Sequence, residues 1–295
     1  MIQPLHDVAN NRRKQMNKIN QLLLENVIQP RPLNSHKGDY GRVLLIGGTY
    51  PFGGAIIMAA LAAVYSGAGL VTVATDKENI SVLHVHLPEA MSFDLKDKDL
   101  LLKQIRESDV ILVGPGLAVN EFGAEIIGLL VESVTEKQYL IIDGGAASFF
   151  SNQKRLFPKA QVIFTPHQRE WERLSGLAIA QQTDHANQIA VDSFPVGTIV
   201  VQKKNGTTIY QSGETEHFPI QCGGPYQATG GMGDTLAGMI ASFVGQFKQC
   251  SVLERVRAAT ILHSSIADEN SKEAYVVLPT SISKSIPQWM KKIAR

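Results

Sequence analysis

The sequence predicts an α/β fold in which a mostly parallel central sheet is flanked by helices on both faces. Short, continuous apolar runs such as 42–46 and 110–113 end in glycine or proline, as expected of buried parallel strands. Between residues 42 and 74 the pattern gives a strand, a glycine-rich turn, a helix and a second strand, which is the order of a βαβ unit. No linker stands out, so we expect residues 1–295 to form a single domain.

The elements of the first third follow from apolar periodicity and from chain breakers. Residues 1–14 are polar and are expected to be loose, and Pro30 ends the first helix because proline disfavours helical backbone in the residue before it. Segment 53–67 is rich in alanine and apolar nearly all round, which predicts a helix that packs on both sides. Helices are thus predicted over about 18–27 and 53–67, and strands over 42–46 and 70–74.

The alternation continues through the middle of the chain, and the last third is mostly helical. Asn205-Gly206 is a strong hairpin signal, so residues 207–211 are expected to return antiparallel to the preceding strand. Nearly every strand ends in glycine, proline, aspartate or histidine at the edge where open parallel sheets bind ligands, although such residues also occur in ordinary turns. The remaining strands are predicted over 110–113, 139–142, 162–164 and 198–201, and the remaining helices over about 121–134, from 169 onwards, 181–191, 233–247, 252–271 and 281–293.

Composition and charge argue against several classes of partner. The net charge is +1 with scattered lysine and arginine, so nothing indicates binding to nucleic acid or to an anionic membrane surface. Cys222 and Cys250 are too few for a disulfide framework and are expected to be free thiols. Segment 1–20 lacks the apolar core of a secretory signal, and the most apolar run, 55–64, is too short to cross a bilayer. We therefore expect a cytoplasmic protein.

The stretch Gly230-Gly231-Met232-Gly233-Asp234 is the main candidate site. Glycine lets the backbone approach a ligand closely, and the amides and dipole at the start of a helix attract anions. The apolar residues that follow recur at helical spacing, so this stretch should open a helix. The functional interpretation is a phosphate cradle formed by residues 230–233, with Asp234 as the adjacent base. The alternative is a glycine-rich loop in which Asp234 is an N-cap or a first-turn acid.

Other nucleotide and metal motifs are missing from the sequence. It contains no Gly-x4-Gly-Lys-Ser/Thr loop, no Gly-x-Gly-x-x-Gly after the first strand, and neither His-Glu-x-x-His nor paired Cys-x-x-Cys. His84 and His86 alternate as residues on one strand face would, but a lone pair of this kind is more often an ordinary surface or core feature than a metal site. The case for nucleotide phosphate therefore rests on the cradle.

Several further motifs occur in a fixed order along the chain. They are Ser35-His36-Lys37-Gly38-Asp39-Tyr40-Gly41, Gly47-Gly48, Gly53-Gly54-Ala55, Gly114-Pro115-Gly116, Thr165-Pro166-His167-x-x-Glu170, Val200-Val201-Gln202-Lys203, Asn205-Gly206-Thr207 and Ala228-Thr229-Gly230-Gly231-x-Gly233-Asp234. Each motif is weak alone, and the set is specific. Together they resemble the ADP-dependent NAD(P)H-hydrate dehydratases of the ribokinase-like superfamily, from about residue 31 to 270. We expect the stand-alone form, without the epimerase domain that some relatives carry.

The resemblance implies a ribokinase-like fold and a repair enzyme that acts on the S epimer of hydrated NADH or NADPH. In the implied reaction a nucleotide phosphoryl group activates the ring hydroxyl, and elimination of phosphate restores the dihydropyridine. Bacterial relatives use ADP and release AMP, whereas eukaryotic relatives use ATP. The resemblance also implies Mg²⁺ at the nucleotide phosphates, a separate NAD(P)H-hydrate epimerase as functional partner, and a homo-oligomer, with a tetramer among its forms.

The resemblance also implies roles for individual residues. Asp234 would take the hydroxyl proton, the amides of residues 230–233 would hold the charge on the phosphoryl oxygens, and Glu170 would order Mg²⁺ through water. The substrate-contact positions would be Ala55, Gly116, His167 and Asp234. The nucleotide-contact positions would be Lys203, Lys204, Asn205, Gly206, Thr207 and Gly233.

Each of these assignments has an ordinary structural alternative. His167 could be a turn histidine bonded to backbone, and the small residues Ala55 and Gly116 could serve close helix–strand packing. Lys203 and Lys204 could be exposed charges of the hairpin.

Two departures from the family pattern bear on the site. The family usually has Lys-Gly where this chain has Lys203-Lys204, and an Asp-Ala-Asp-Ala-like run where it has Asp143-Gly144-Gly145-Ala146. Either change could alter nucleotide preference or rate.

Two other functions would use the same cradle. A kinase of the same superfamily, acting on a hydroxymethylpyrimidine or a hydroxyethylthiazole, is one alternative, although such kinases have asparagine where this chain has His167. A nucleotide-binding regulator without catalysis is the other, and the presence of Asp234 argues against it.

Overall fold

The structure is a computed structural model that describes residues 18–151 and 157–294. The expectation that residues 1–14 are loose therefore lies outside the described residues. The helices are α1 (18–27), α2 (Gly53–Tyr65), α3 (Lys77–His86), α4 (Lys98–Glu107), α5 (Glu121–Ser133), α6 (Gln168–Ser175), α7 (Asp184–Val191), α8 (Met232–Gln246), α9 (Val252–Asn270) and α10 (Pro279–Ile293). The strands are β1 (Arg42–Ile46), β2 (Leu70–Thr75), β3 (Met91–Asp94), β4 (Val110–Val113), β5 (Tyr139–Ile142), β6 (Gln161–Phe164), β7 (Ile199–Gln202), β8 (Thr208–Gln211) and β9 (Phe218–Pro219).

The nine strands within the described ranges form one sheet in the order β3-β2-β1-β4-β5-β6-β7-β8-β9. Every pairing from β3 to β7 is parallel, whereas β8 pairs antiparallel with both β7 and β9. Residues 203–207 form the hairpin between β7 and β8, and Gly206 has the positive φ of 76° that the Asn-Gly signal predicts. The predicted α/β class with a mostly parallel sheet is confirmed.

Alternate residues of the central strands belong to cores on opposite faces of the sheet. Val43 and Leu45 of β1 pack with buried residues of α2, α8 and α9. Leu44 and Ile46 pack with buried residues of α4, α5 and α6. A strand that is buried on both faces has no polar face, which explains its continuous apolar sequence. The predicted layers of helices on both faces are therefore confirmed.

Helix α2 packs closely against α8 near the middle of both helices. A Cβ atom at Gly238 would lie 2.1 Å from the carbonyl oxygen of Ala59, so the two backbones approach too closely for a larger residue. Five residues of α2 are fully buried, which agrees with a helix packed on both sides. Within residues 18–151 and 157–294, no helix combines the length and apolarity that a bilayer crossing requires.

Segment 76–108 contains three elements that the sequence did not predict: α3, β3 and α4. Strand β3 is a short edge strand with one buried residue, and α3 buries only Leu83, so neither shows a clear apolar pattern. His84 and His86 lie on α3, so their placement on one strand face was wrong. The part of the chain that the structure describes contains no group of three or more His, Cys, Asp or Glu residues that could hold a metal ion.

The direction of strand order reverses between β1 and β4, which creates a crevice outside their carboxyl ends. Two hydrogen bonds tie the following loops together there. The amide of Gly48 donates to the Pro115 carbonyl at 2.8 Å, and the amide of Thr49 donates to the Gly116 carbonyl at 2.9 Å. Ligands of open α/β sheets bind at this edge, and the predicted site residues follow β1, β4, β6 and β7 along it.

Candidate active site

The predicted phosphate cradle, residues 230–233, includes the turn that opens α8. Gly231 precedes the helix and has a φ of 91°, a left-handed conformation that favours glycine. A Cβ atom at this position would lie 2.2 Å from Sδ of Met58, so packing against α2 also requires glycine. Because Gly231 supplies no side-chain cap, the first amides of α8 suit an anionic ligand.

Asp234 is the third residue of α8, which makes it a first-turn acid and not the N-cap. Burial raises the pKa of Asp234 to about 6; the charge of Asp143 adds to this increase, Lys203 opposes it, and Glu170 adds to it again. Such a carboxylate is mostly ionised at neutral pH yet more basic than an exposed aspartate. Its position and basicity therefore suit proton abstraction beside the cradle.

Lys203 connects the hairpin 203–207 to the cradle. Its Nζ donates to Oδ1 of Asp143 at 2.7 Å, and the same oxygen accepts a hydrogen bond from Oγ1 of Thr165 at 2.5 Å. Nζ also lies 2.9 Å from the place that a Cβ atom would take on Gly233. Burial opposes the charged form, but three nearby carboxylates outweigh it and raise the pKa of Lys203. Lys203 is therefore a cation held beside the second residue of α8.

His167 and Glu170 together cap the start of α6. Nδ1 of His167 accepts from the amides of Arg169 and Glu170, both at 3.2 Å. The amide of His167 donates to Oε2 of Glu170 at 2.8 Å, and Nε2 lies 3.3 Å from Oε1. The ordinary interpretation of His167 as a backbone-bonded turn residue is thus correct for Nδ1. Its half-exposed side chain also lines a cavity, and the cap fixes the orientation of the ring.

A cavity of about 610 Å³ brings together all six predicted nucleotide-contact residues. The hairpin 203–207, loop 222–228, the start of α8 and the middle of α9 form its walls. Oδ1 of Asp268 accepts from the amide of Gly223 at 2.7 Å and so holds the loop. The predicted residues that line the cavity are His167, Lys203, Lys204, Asn205, Gly206, Thr207, Met232 and Gly233. Its volume suits a small-molecule ligand.

Ala55 and Gly116 lie at the switch point between β1 and β4, apart from the lining of this cavity. A Cβ atom on Gly116 would lie 3.2 Å from Cβ of Ala55 and 2.4 Å from the carbonyl oxygen of Phe52, so close packing alone already requires small residues here. Met58, one turn after Ala55 on α2, lies against Gly231. Helix α2 therefore borders both the switch point and the cradle.

The lysines of the hairpin are not the exposed charges of the ordinary interpretation. The side chains of Lys203 and Lys204 are each only 19% exposed. Nζ of Lys204 lies 3.5 Å from Oδ1 of Asp184, the first residue of α7. The second lysine, where the family usually has glycine, is thus accommodated by a carboxylate on α7.

Sequence reasoning did not assign Asp143 to the site. Asp143 directly follows β5 and is almost completely buried, so the pattern of polar residues at strand ends could have indicated it. At the position of the missing second acid, a Cβ atom on Gly145 would lie 2.7 Å from Cγ2 of the exposed Val119 and 3.1 Å from the Leu117 carbonyl oxygen, so a side chain there would require these neighbours to shift. The loop thus keeps the acid that pairs with Lys203.

His263 is a second residue that the sequence gave no reason to choose, because it lies inside the long helix α9. It is buried, it lines the cavity, and its Nε2 has no hydrogen-bond partner among the described residues. Burial, together with the charge of Lys203, lowers the pKa of His263 to about 4, so the ring is neutral at neutral pH.

Direct metal coordination does not suit this arrangement of charges. Asp143 is engaged by Lys203, and both carboxylate oxygens of Glu170 face His167. A divalent ion carried by an anionic ligand would meet these carboxylates through water. Mg²⁺ commonly binds in this way, because it keeps several waters and takes its other ligands from phosphates.

Comparisons with known proteins agree on one family. The family profile described as NAD(P)H-hydrate dehydratase matches residues 43–288. The ADP-dependent (S)-NAD(P)H-hydrate dehydratase of Streptococcus pneumoniae (strain ATCC BAA-255 / R6) is 57% identical over 280 residues, which cover 95% of this chain and 97% of that protein.

Solved structures show the same relationship. The crystal structure of hypothetic protein SMU.573 from Streptococcus mutans has a TM-score of 0.90 at 56% identity, and the match covers 93% of this chain and 99% of that one. The ADP/ATP-dependent NAD(P)H-hydrate dehydratase from Bacillus subtilis, co-crystallized with ATP/Mg²⁺, has a TM-score of 0.79 at 26% identity, and the match covers 92% and 97%. A ribokinase from Arabidopsis thaliana, with a TM-score of 0.58 at 13% identity, shares the fold alone.

Proposed function

Because the chain belongs to the NAD(P)H-hydrate dehydratase family, we propose that it restores NADH and NADPH from the S epimer of their hydrated forms, using ADP and releasing AMP and phosphate. The observation that carries the chemistry is Asp234, a carboxylate of pKa about 6 in the first turn of α8 beside the cradle. The kinase alternative has only fold-level support, since a hydroxyethylthiazole kinase is 14% identical to the chain. The regulator alternative leaves the raised basicity of Asp234 unexplained.

Asp234 acts as the general base of the first step. Its carboxylate removes the proton of the ring hydroxyl, and the hydroxyl oxygen forms a bond to the β-phosphorus of ADP while the bridging P–O bond breaks and AMP leaves. The ring then carries a phosphate ester, which is a better leaving group than hydroxide. Cleavage of the C–O bond releases phosphate, and loss of a proton from the neighbouring ring carbon restores the dihydropyridine.

The cradle and Lys203 stabilise the transferring phosphoryl group. The amides of residues 230–233 hold the charge on its oxygens, because donors that are already oriented need no reorganisation during the reaction. The ammonium of Lys203 lies against Gly233 and adds positive charge on the cavity side. Lys204, Asn205, Gly206 and Thr207 contact the rest of the nucleotide in the cavity.

The hydrated nicotinamide lies on the other side of the cradle, near α2. We assign Ala55 and Gly116 as its contacts at the switch point, where the packing of the protein itself already keeps both residues small. His167 lines the nucleotide cavity, so we place its contact with the substrate where the ring meets that cavity, with the imidazole orientation fixed by the α6 cap. Asp234 completes this set, and it reaches the substrate from the start of α8.

Mg²⁺ is the cofactor that we assign to the bound nucleotide, where it would neutralise charge on the phosphates. The described residues fit an ion held through water, and Glu170 is our assignment for ordering that water. In solution, we propose a single-domain, cytoplasmic homo-oligomer, with a tetramer among its forms. A separate NAD(P)H-hydrate epimerase would supply the S epimer.

An absorbance assay tests the function. Purified protein with ADP, Mg²⁺ and hydrated NADH should restore the absorbance band of reduced nicotinamide, and AMP and phosphate should appear in equal amounts. A parallel reaction with ATP measures nucleotide preference. Phosphorylation of a hydroxyethylthiazole or a hydroxymethylpyrimidine, without recovery of NADH, would favour the kinase function instead.

The rate should decline in acid with an apparent pKa of about 6, because Asp234 must be ionised to accept the hydroxyl proton. We expect kcat/KM for hydrated NADH to fall about tenfold for each pH unit below this value and to be level from pH 7 to 8. Initial rates across this range, with thermal unfolding recorded at each pH, are the measurement. An acid limb centred near pH 4 would mean that the base is an ordinary exposed carboxylate.

A further inference from the structure

We propose that Asp143 is a positioning residue for ADP, because its buried carboxylate holds the ammonium of Lys203 against Gly233 at the phosphate end of the cavity. This inference rests on the proposed function, since it requires that Lys203 lie beside a bound nucleotide. Asp143 does not line the cavity itself and therefore acts through Lys203.

The contact between Asp143 and Lys203 is direct and largely shielded from solvent. Nζ of Lys203 lies 2.7 Å from Oδ1, and the Asp143 side chain is 3% exposed. Thr165 donates to the same oxygen at 2.5 Å and so fixes the rotation of the carboxylate. Charge-assisted hydrogen bonds of this length, shielded from water, are among the stronger polar contacts in proteins.

The backbone of Asp143 is also fixed. Its amide donates to the Val113 carbonyl at 3.0 Å, and its carbonyl oxygen lies 1.8 Å from the place that a Cβ atom would take on Gly114. The end of β5 is thus locked against the loop after β4. A carboxylate on a fixed backbone is a suitable anchor for a long flexible side chain.

Lys203 needs an anchor because other charges compete for it. Glu170 and Asp234 also attract its ammonium, and a lysine stem has enough freedom to reach more than one partner. If Lys203 paired with Asp234 instead, its charge would lower the basicity of that carboxylate. The bond to Asp143 keeps Lys203 on the cavity side and keeps Asp234 free for the hydroxyl.

A double-mutant cycle on ADP binding tests the assignment. Asp143→Asn should weaken ADP binding at equilibrium about tenfold and raise KM for ADP by a similar factor. In a Lys203→Met background the same change should alter ADP affinity by less than about twofold. Asp143 then has no ammonium to position, and the effects of substitutions at two residues that act as a unit are not additive. The readout is calorimetric titration with ADP and Mg²⁺, which needs no turnover.

Two further variants keep the test decisive. Thr165→Val removes only the hydroxyl that orients Asp143 and should weaken ADP binding about threefold. This effect should again be lost in the Lys203→Met background. The variant replaces Asp143→Asn in the test if Asp143→Asn does not fold. Glu125→Gln is the matched control, since it removes a carboxylate from the pair between Lys98 and Glu125, neither of which lines the cavity. It should change ADP affinity less than twofold.

Three outcomes would overturn the inference. One is an unchanged ADP affinity in folded Asp143→Asn, and another is an equal loss with and without Lys203. A loss in Glu125→Gln as large as that in Asp143→Asn would point to a general charge effect. Wild-type protein that does not bind ADP at all would instead reject the proposed function, and this inference with it.

Discussion

Asp234→Asn should lower kcat/KM for the dehydration by roughly a thousandfold or more, because general-base catalysis is worth up to about four orders of magnitude. Asparagine keeps the size of the side chain but cannot accept the hydroxyl proton. The two other carboxylates near the cradle cannot replace it, since Asp143 is bonded to Lys203 and Glu170 to the start of α6. Initial rates with ADP and hydrated NADH measure the effect.

The same variant should be at least as stable as the wild type above pH 6, which separates loss of base from loss of fold. The pKa of Asp234 is raised from 3.8 to about 6, so the folded state holds the proton more tightly than the unfolded chain does. Stability of the wild type therefore falls as pH rises from about 4 to about 6 and stays lower above it, by at most about 3 kcal/mol. Asparagine at position 234 does not ionise, so the variant avoids this loss of stability. Activity within tenfold of wild type, about 1.4 kcal/mol of barrier, would reject the base assignment.

Gly231→Ala should lower kcat/KM roughly a hundredfold, which corresponds to about 2.7 kcal/mol. Alanine at a φ of 91° is strained by roughly 1 to 2 kcal/mol, and its Cβ would displace Met58 from the contact with α2. The turn would relax by moving the first amides of α8, which are the donors of the cradle. Calorimetric ADP binding, kinetics and thermal unfolding together measure the effect.

Gly230→Ala is the matched control for the stability part of this prediction. A Cβ atom at Gly230 would meet no atom within 4 Å, and Gly230 is not among the glycines with positive φ. Its free energy of unfolding should therefore change by less than about 0.5 kcal/mol. Undiminished ADP binding by Gly231→Ala, or an equal loss of stability in both variants, would show that the turn does not depend on the conformation of Gly231.

Much of the fold could be predicted because the sheet is buried on both faces. Strand β1 and helix α2 have unmistakable apolar patterns, and glycines mark their ends. Strand β3 and helix α3 could not be predicted in the same way, since an edge strand and a surface helix need few apolar residues. Helix α4 was missed although Asp97 caps it and Leu101 and Ile105 recur at helical spacing. The apolar pattern of a segment predicts its secondary structure only where the tertiary structure buries one of its faces.

The candidate site was predictable where local motifs define it and not where distant residues meet. The Gly-Gly-x-Gly-Asp stretch indicates a helix start with its acid, and α8 begins there. The partnership of Asp143 with Lys203 joins residues 60 positions apart, and only the order of β5, β6 and β7 brings them together. His263 likewise enters the cavity wall from α9, without a local motif.

A crystal structure of Asp234→Asn with ADP, Mg²⁺ and hydrated NADH tests the central claim most directly, because the variant should bind both substrates without turning them over. We predict that the β-phosphate contacts the amides of residues 230–233 and that the ring hydroxyl lies within about 3.2 Å of the residue 234 side chain, in hydrogen-bond reach. A β-phosphate bound elsewhere in the cavity, or a hydroxyl that faces away from residue 234, would contradict the account.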